Sequence, residues 1–489
     1  MKLNNGIASD SIWLTIVKVI TALISIIITK ILSVKFSLWE YGTYSQAMLI
    51  VSFATSLSIL GLSDGTNYFY NVTDDINQKK KYMNTIFSIQ MLIGMICAII
   101  IIGISGLLTN YYNNPNLQKI YIWIIFSPML SNFIAMYQVL FISIGKARII
   151  AIRNLVMALI KLGIISFAAI ISQDVMTIFI LTFFADFGQV LYFALFFRRK
   201  CFKIHFFKID FSNVKSILNY CIPLAIYILT NALARDMDKY FVSIVADTET
   251  FAIFSNCAKV LPFDMLTTSF ATVMIPIVTR FIAQNNLEEA QKLYRDYLSI
   301  GYTTTWIIAF GVVICSREVM YLLYDDKYIS GLAIFVVYIF VDMIRFANVA
   351  IILRAKGKTR LLMIYSFAML IANLIFNTIF YNIFGIIGPA LSTLVVTFIM
   401  NMGMLINGAS ILRCKVYQLI NIKDMVLLII QLIIIGTIAM KINSVLEQYF
   451  SLHYVVRLIL TYGLYVLALG LINFRKIICL FRSINSINK

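Results

Sequence analysis

SILNYCIPLAIYILTNALARDMDKYFVSIVA (residues 216–246) and FAIFSNCAKVLPFDMLTTSFATVMIPIV (251–278) decide the fold. Each is long enough to cross a hydrocarbon core, which takes about 20 apolar residues in a helix. Yet Arg235 stands near the end of the first, and Lys259 and Asp264 lie within the second. A charge at membrane depth costs roughly 2.5–3.5 kcal/mol on insertion scales, so it turns to a bundle interior or a water-filled cavity. The pair predicts a helical membrane protein with a polar path.

Working outward, the composition agrees. Of 489 residues, 61% are hydrophobic and 13% are charged, and mean hydropathy is +0.90. A soluble domain of that length needs far more charge to cover its surface. About fourteen windows of spanning length follow one another with short connections, which predicts an all-α integral membrane fold of near-antiparallel neighbours. The run after Lys2 is too long for a signal-peptide core and no small-residue cleavage pattern follows it, so it reads as a retained first helix. Most Lys and Arg residues fall in alternate loops, predicting a multi-pass protein with both termini cytoplasmic.

An internal repeat divides the windows. EYGTYSQAMLI (40–50) pairs with TFAIFSNCAKV (250–260), setting Tyr44-Ser45 against Phe254-Ser255. ISIGKAR (142–148) pairs with RAKGKTR (354–360), setting Gly145 against Gly357. The expected plan is an N-terminal six-helix lobe over 1–197 and a basic cytoplasmic linker over 198–215. A C-terminal six-helix lobe over 216–409 follows, then two extra transmembrane helices and a cytoplasmic tail over 410–489. Lobes of parallel orientation are related by a pseudo-two-fold axis along the membrane normal, a known transporter plan.

The formal net charge of +18 does not point to nucleic acid, because the basic residues are dispersed in short loops without a binding motif. Seven scattered cysteines form no CxxC pair, and two distant histidines have no metal-ligand spacing, so neither a disulfide framework nor a metal site is expected. No phosphate-binding loop, HExxH, GxSxG or kinase signature is present, and no outer loop could hold a catalytic domain. No enzymatic activity and no cofactor are expected.

The candidate site residues are the charges within spans. Ser11, Thr15, Lys18, Ser25 and Thr29 form one polar stripe on the first helix. Lys161 lies mid-span in the fifth, and Thr182, Asp186 and Gln189 share a face of the sixth. Asp342, Arg345 and Asn348 step by three along the tenth, where Asp342 and Arg345 form either an internal ion pair or part of a cavity wall. Arg235, Asp236, Asp238 and Lys239 sit near the outer end of the seventh, where reaching to the interface is the plainer reading. Lys18, Lys161, Lys259 and Arg345, with Arg235, outnumber unpaired carboxylates, and a cationic lumen attracts anions such as phosphate and acidic sugars. Asp186, Asp342 and Asp264 are candidates for ion coupling. Pro262 and Pro276 would bend their helix.

VMIPIVTRFIAQNNLEEAQKLYRDYLSI (273–300), EYGTYSQAMLI (40–50) and LRAKGKTRLLMIYSFAMLIANLIFNTIFYNIFGIIGPALSTLVV (353–396) together resemble polysaccharide exporters. These belong to the multidrug/oligosaccharidyl-lipid/polysaccharide transporter superfamily. The resemblance spans nearly the whole chain and is carried by the order of the motifs. It implies an O-antigen or capsule repeat-unit flippase of the Wzx type. Such a protein moves undecaprenyl-diphosphate-linked oligosaccharide across the bacterial cytoplasmic (inner) membrane for lipopolysaccharide or capsule assembly. It implies alternating access coupled to H⁺ or Na⁺, contact with membrane lipids, and a polysaccharide polymerase and chain-length regulator as partners. The residues leave open a multidrug or lipid II exporter of the same superfamily, and a membrane polymerase.

Overall fold

The computed structural model describes residues 4–449 and 452–486, apart from 260, 262 and 264. Asp264 and Pro262 therefore lie outside the described residues. Lys18 is described only as part of its helix, and its side chain lies outside the described residues as well. Every regular element among the described residues is a helix. Hydrocarbon demands this, since a backbone there has no water to pair with and a helix satisfies its own N–H and C=O groups.

Contacts sort the chain into two units, Met1–Asp236 with Ser243–Ala252 and Met237–Val242 with Ile253–Lys489. Unit one contains α1 (Asn4–Lys35), α2 (Leu38–Ser58), α3 (Leu62–Asn71), α4 (Ile76–Tyr111), α5 (Asn116–Ile124), α6 (Ser127–Ser143), α7 (Ala147–Phe167) and α8 (Val175–Lys200). Helices α9 (Phe211–Val245) and α10 (Thr248–Cys257) contribute residues to both units. Unit two continues with α11 (Met265–Ala283), α12 (Leu287–Ile314), α13 (Ser316–Leu323), α14 (Leu332–Ile344), α15 (Ile351–Ala355) and α16 (Thr359–Phe384). It ends with α17 (Gly388–Ile411), α18 (Val416–Leu419), α19 (Ile422–Gln448) and α20 (Tyr454–Ser486).

The protein is an all-α integral membrane protein. Among the described residues, 10 helices are long and apolar enough to cross a membrane, or 11 if the bent pair α2 and α3 is one span. The expected windows fall on helix, but several are broken. Residues 250–276 divide into α10 and α11, and 329–353 into α14 and α15. Of the ten or eleven spans, the run Thr359–Ile411 holds both α16 and α17, and so two of the fourteen expected windows.

The repeat has a local counterpart in each unit. Gly145 and Gly357 both take φ +71°, a left-handed conformation that costs a side chain but not glycine. Around Gly145 the N–H of Lys146 reaches back to the Phe141 carbonyl at 2.8 Å, and around Gly357 that of Lys358 reaches Leu353 at 2.8 Å. This is the Schellman way of closing a helix end. In the other repeat, Gln46 and its counterpart Asn256 are both fully buried.

The core of unit one is aromatic. Phe87 meets Tyr137 with ring centroids 4.9 Å apart, and Phe141 meets Phe193 at 5.1 Å. Side-chain amides tie its helices together. Asn132 donates to the Ser58 hydroxyl at 2.9 Å, and Asn114 donates to Thr43 and Gln46, both at 2.8 Å. Between helices such bonds replace the hydrophobic drive that lipid does not supply. The segment 201–210, expected as a linker, is docked. Phe202 and Ile204 are buried, the His205 N–H donates to Asn84 at 2.8 Å, and that of Asp210 to Thr85 at 3.0 Å.

Unit two is built around α12, whose Tyr294, Tyr297 and Tyr302 are fully buried. These side chains govern a break in the next membrane segment. Helix α14 ends at Ile344, and the freed Met343 carbonyl accepts from Trp306 Nε1 at 2.7 Å. The Ile344 carbonyl accepts from Asn401 at 3.2 Å, the Val349 carbonyl from the Tyr294 hydroxyl at 2.9 Å, and the Asn348 N–H donates to Tyr297 at 2.9 Å. Irregular backbone at membrane depth persists only with such partners. The expectation that Asp342, Arg345 and Asn348 step along one helix is therefore corrected, because Arg345 and Asn348 lie in the break.

Candidate functional site

A polar side chain in hydrocarbon costs free energy unless it is paired or wet, so each such group must be accounted for. In unit one the group centres on Arg153 of α7. Its guanidinium bonds Asn154 at 2.5 Å and lies 5.1 Å from the centre of the Phe193 ring. With amide oxygens turned toward it, Gln138 of α6 and Gln189 of α8 also accept from it. Gln189 is buried, and Asp186, one turn before it, is half-buried in the field of Lys161 and Arg153. Lys161 stands two turns beyond Arg153 on α7 and is exposed. The structure thus brings the candidates Lys161 and Asp186 into one cluster. Arg153 was missed because it follows the Gly145 turn closely, where a basic residue reads as loop.

Of the polar stripe on α1, Ser25 is exposed and Thr29 half-buried. Arg235 on α9, expected at the interface, is exposed, with Nε 3.6 Å from Asp236.

Asp238 departs from that expectation. It is 2% exposed and accepts from the Thr393 hydroxyl of α17 at 3.5 Å. Phe241, three residues on, rests edge-on against Tyr381 of α16 with centroids 5.7 Å apart, and Tyr381 is four residues beyond Asn377. Asn377 is fully buried, and among the described residues neither of its amide atoms has a hydrogen-bond partner. Ser392, beside Thr393, is also fully buried, and among the described residues its hydroxyl has no partner. A carboxylate, two hydroxyls and a carboxamide oxygen are donor types that suit a hard cation. Among the described residues no group of three or more His, Cys, Asp or Glu forms a metal site.

The FGIIGPALST stretch seats this cluster. Gly385 takes φ +64°, ψ −142°, a region open to glycine alone, and parts α16 from α17. Gly388 then packs directly on the Phe380 backbone, leaving no room for a Cβ. Gly388→Val is expected to displace α17 and cost about 1–3 kcal/mol or more, read as a lowered unfolding temperature of the purified protein.

Lys259 follows α10, half-buried, in the field of Lys239 and Cys257. Asp342 is 4% exposed and accepts the Leu261 N–H at 2.9 Å, so it pins the break between α10 and α11. Arg345 donates to Thr397 of α17 at 3.5 Å. Lys259, Asp342 and Arg345 therefore all lie at helix breaks of unit two.

A family model described as polysaccharide biosynthesis protein matches residues 27–333, more than half of the chain. No curated protein sequence matches significantly. Among solved structures, a lipid II flippase MurJ in an inward closed conformation aligns with TM-score 0.73 and 14% identity, covering 96% of this chain and 100% of that one. An inward-facing multidrug resistance MATE family transporter of the MOP superfamily aligns with TM-score 0.66 and 12% identity, covering 80% and 94%. A MOP superfamily transporter from Pyrococcus furiosus, described as having a binding pocket of reverse polarity, aligns with TM-score 0.56 and 12% identity, covering 83% and 95%. The chain belongs to the polysaccharide biosynthesis protein family, as a multi-pass membrane protein whose fold is that of the MurJ and MATE structures.

Proposed function

We infer that the protein is a flippase for undecaprenyl-diphosphate-linked oligosaccharide repeat units in the bacterial cytoplasmic membrane, serving O-antigen or capsule assembly. The observation that carries this reading is the set of cations kept within the membrane fold of both units, Arg153 and Lys161 in one and Lys259 and Arg345 in the other. A diphosphate is the part of such a substrate that hydrocarbon opposes most strongly. Fixed cations at depth offset its charge, and low-dielectric walls strengthen their pull. Lys18 on α1 and Arg235 on α9 are the further cations proposed to meet the substrate. The prenyl tail stays in lipid while the sugars and diphosphate pass.

The work of transport comes from a cation gradient, H⁺ or Na⁺, through alternating access. Asp238, Thr393, Ser392 and Asn377 form the coupling site in unit two. Asp186, between the cations Arg153 and Lys161, is the coupling candidate in unit one, while Asp342 is committed to the Leu261 N–H. Polymerase and chain-length regulator act on the delivered units, and the chain itself moves its substrate without transforming it.

Lys259→Ala tests the reading. Surface polysaccharide is expected to fall at least tenfold while the protein still accumulates in the membrane. Normal polysaccharide would remove Lys259 from the site. The lipid II reading is favoured by the 96% coverage with the flippase fold, and a viable deletion strain without cell-wall defects would exclude it.

A further inference from the structure

On the face where α4 begins and α8 ends, the docked segment 201–210 and the first turns of α4 enclose a cleft of about 1040 Å³. Its walls carry Lys80 and Lys81 from α4 and Lys203, His205 and Lys208 from the segment. Asp210 is the one carboxylate in the lining. That carboxylate is already engaged, accepting from the Ser212 hydroxyl at 2.6 Å and lying 3.9 Å from Lys81. The Ser212 bond holds its pKa below the usual carboxylate range. The cleft is preformed, because Asn84 and Thr85 fasten the segment by its backbone and Phe202 and Ile204 sink into the core.

Its depth is also defined. Lys79, Lys80 and Lys81 directly precede the apolar run of α4, and Arg198, Arg199 and Lys200 close α8. At 1.5 Å rise per residue, the lysines of α4 lie within about one turn of the hydrocarbon boundary. Phe207 and Phe211 are 62% and 82% exposed beside them, as aromatic side chains are when they anchor at headgroup level. A soluble anion would need none of these apolar flanks.

We propose that this cleft binds the phosphate headgroup of an anionic membrane lipid, holding a resident lipid against unit one. Basic pockets at this depth take anionic headgroups, each lysine near the surface contributing attraction that salt screens. The inference does not rest on the transport reading, because binding is read without flux.

The test uses the full-length protein purified in a neutral detergent, with lipid retention followed by intact mass as phosphatidylglycerol or phosphatidylcholine is titrated. Phosphatidylglycerol is expected to bind selectively. The combined variant Lys80→Gln, Lys203→Gln, Lys208→Gln should weaken it by about a hundredfold. The single variant Lys208→Gln, altering one exposed side chain, should weaken it by about fivefold and covers the case in which the triple variant misfolds. An equal loss from Lys356→Gln with Lys358→Gln, at the unrelated Gly357 turn, would reduce the effect to overall charge and overturn the proposal. Unchanged binding in the cleft variants would overturn it as well. Displacement of the lipid by micromolar inorganic pyrophosphate would assign the cleft to a soluble phosphate instead.

Discussion

Asp238→Ala is expected to uncouple transport from the cation gradient. The side chain is buried and accepts from the Thr393 hydroxyl, and Asn377 and Ser392 have buried polar atoms without a hydrogen-bond partner among the described residues. Loss of a charged hydrogen-bonding partner costs about 1.5–3 kcal/mol, which is roughly a ten- to hundredfold loss of cation affinity. Flipping in vesicles should then stop responding to an imposed gradient. Asp238→Asn keeps the volume and separates the two ions. If the cation is Na⁺, the amide lowers affinity and shifts the Na⁺ dependence upward. If it is H⁺, the amide mimics the protonated carboxyl and the pH dependence disappears. A full gradient response in both variants would move the coupling site elsewhere.

Arg457→Leu is expected to destabilise unit two by about 3–5 kcal/mol. Arg457 and Glu318 are 6% and 3% exposed, with Nη2 3.5 Å from Oε1, and Nη1 lies 2.7 Å from Glu447. Asn443 donates to the same Glu318 oxygen at 2.9 Å. The network fastens α19 and α20 to α13. Removing the guanidinium leaves a buried carboxylate uncompensated, a cost much larger than the net worth of the pair. Adding Glu318→Gln should therefore restore most of the loss, a coupling that a double-mutant cycle in detergent unfolding would measure. Additive losses would show that the two side chains do not act as a pair.

The sequence made the long helices legible because a segment that crosses hydrocarbon has to satisfy its own backbone. It also set Gly145 against Gly357, and the two close their helices in the same left-handed conformation. The breaks were hidden. Helix α14 stops at Ile344 because Trp306 and Asn401 catch its loose carbonyls and Tyr294 holds the Val349 carbonyl beyond it, and a pattern of threes cannot anticipate that. Asp238 was hidden for a related reason. Its neighbours Arg235 and Asp236 read as interfacial, and one more turn of α9 carries Asp238 to Thr393, which lies 155 residues away in sequence. Docking of 201–210 was equally invisible, as basic composition suggested a linker while two apolar residues decided its place. Lys161 and Asp186 stand out in the sequence because an isolated charge in an apolar run needs no tertiary knowledge to be noticed.

The most direct measurement places the purified protein in vesicles containing a polyprenyl-diphosphate-linked oligosaccharide and follows exposure of the sugar to an impermeant reagent. Flipping is expected to speed up under an imposed Na⁺ or H⁺ gradient and to fall at least tenfold with Lys259→Ala. Exposure no faster than in protein-free vesicles, with or without a gradient, would contradict the flippase reading.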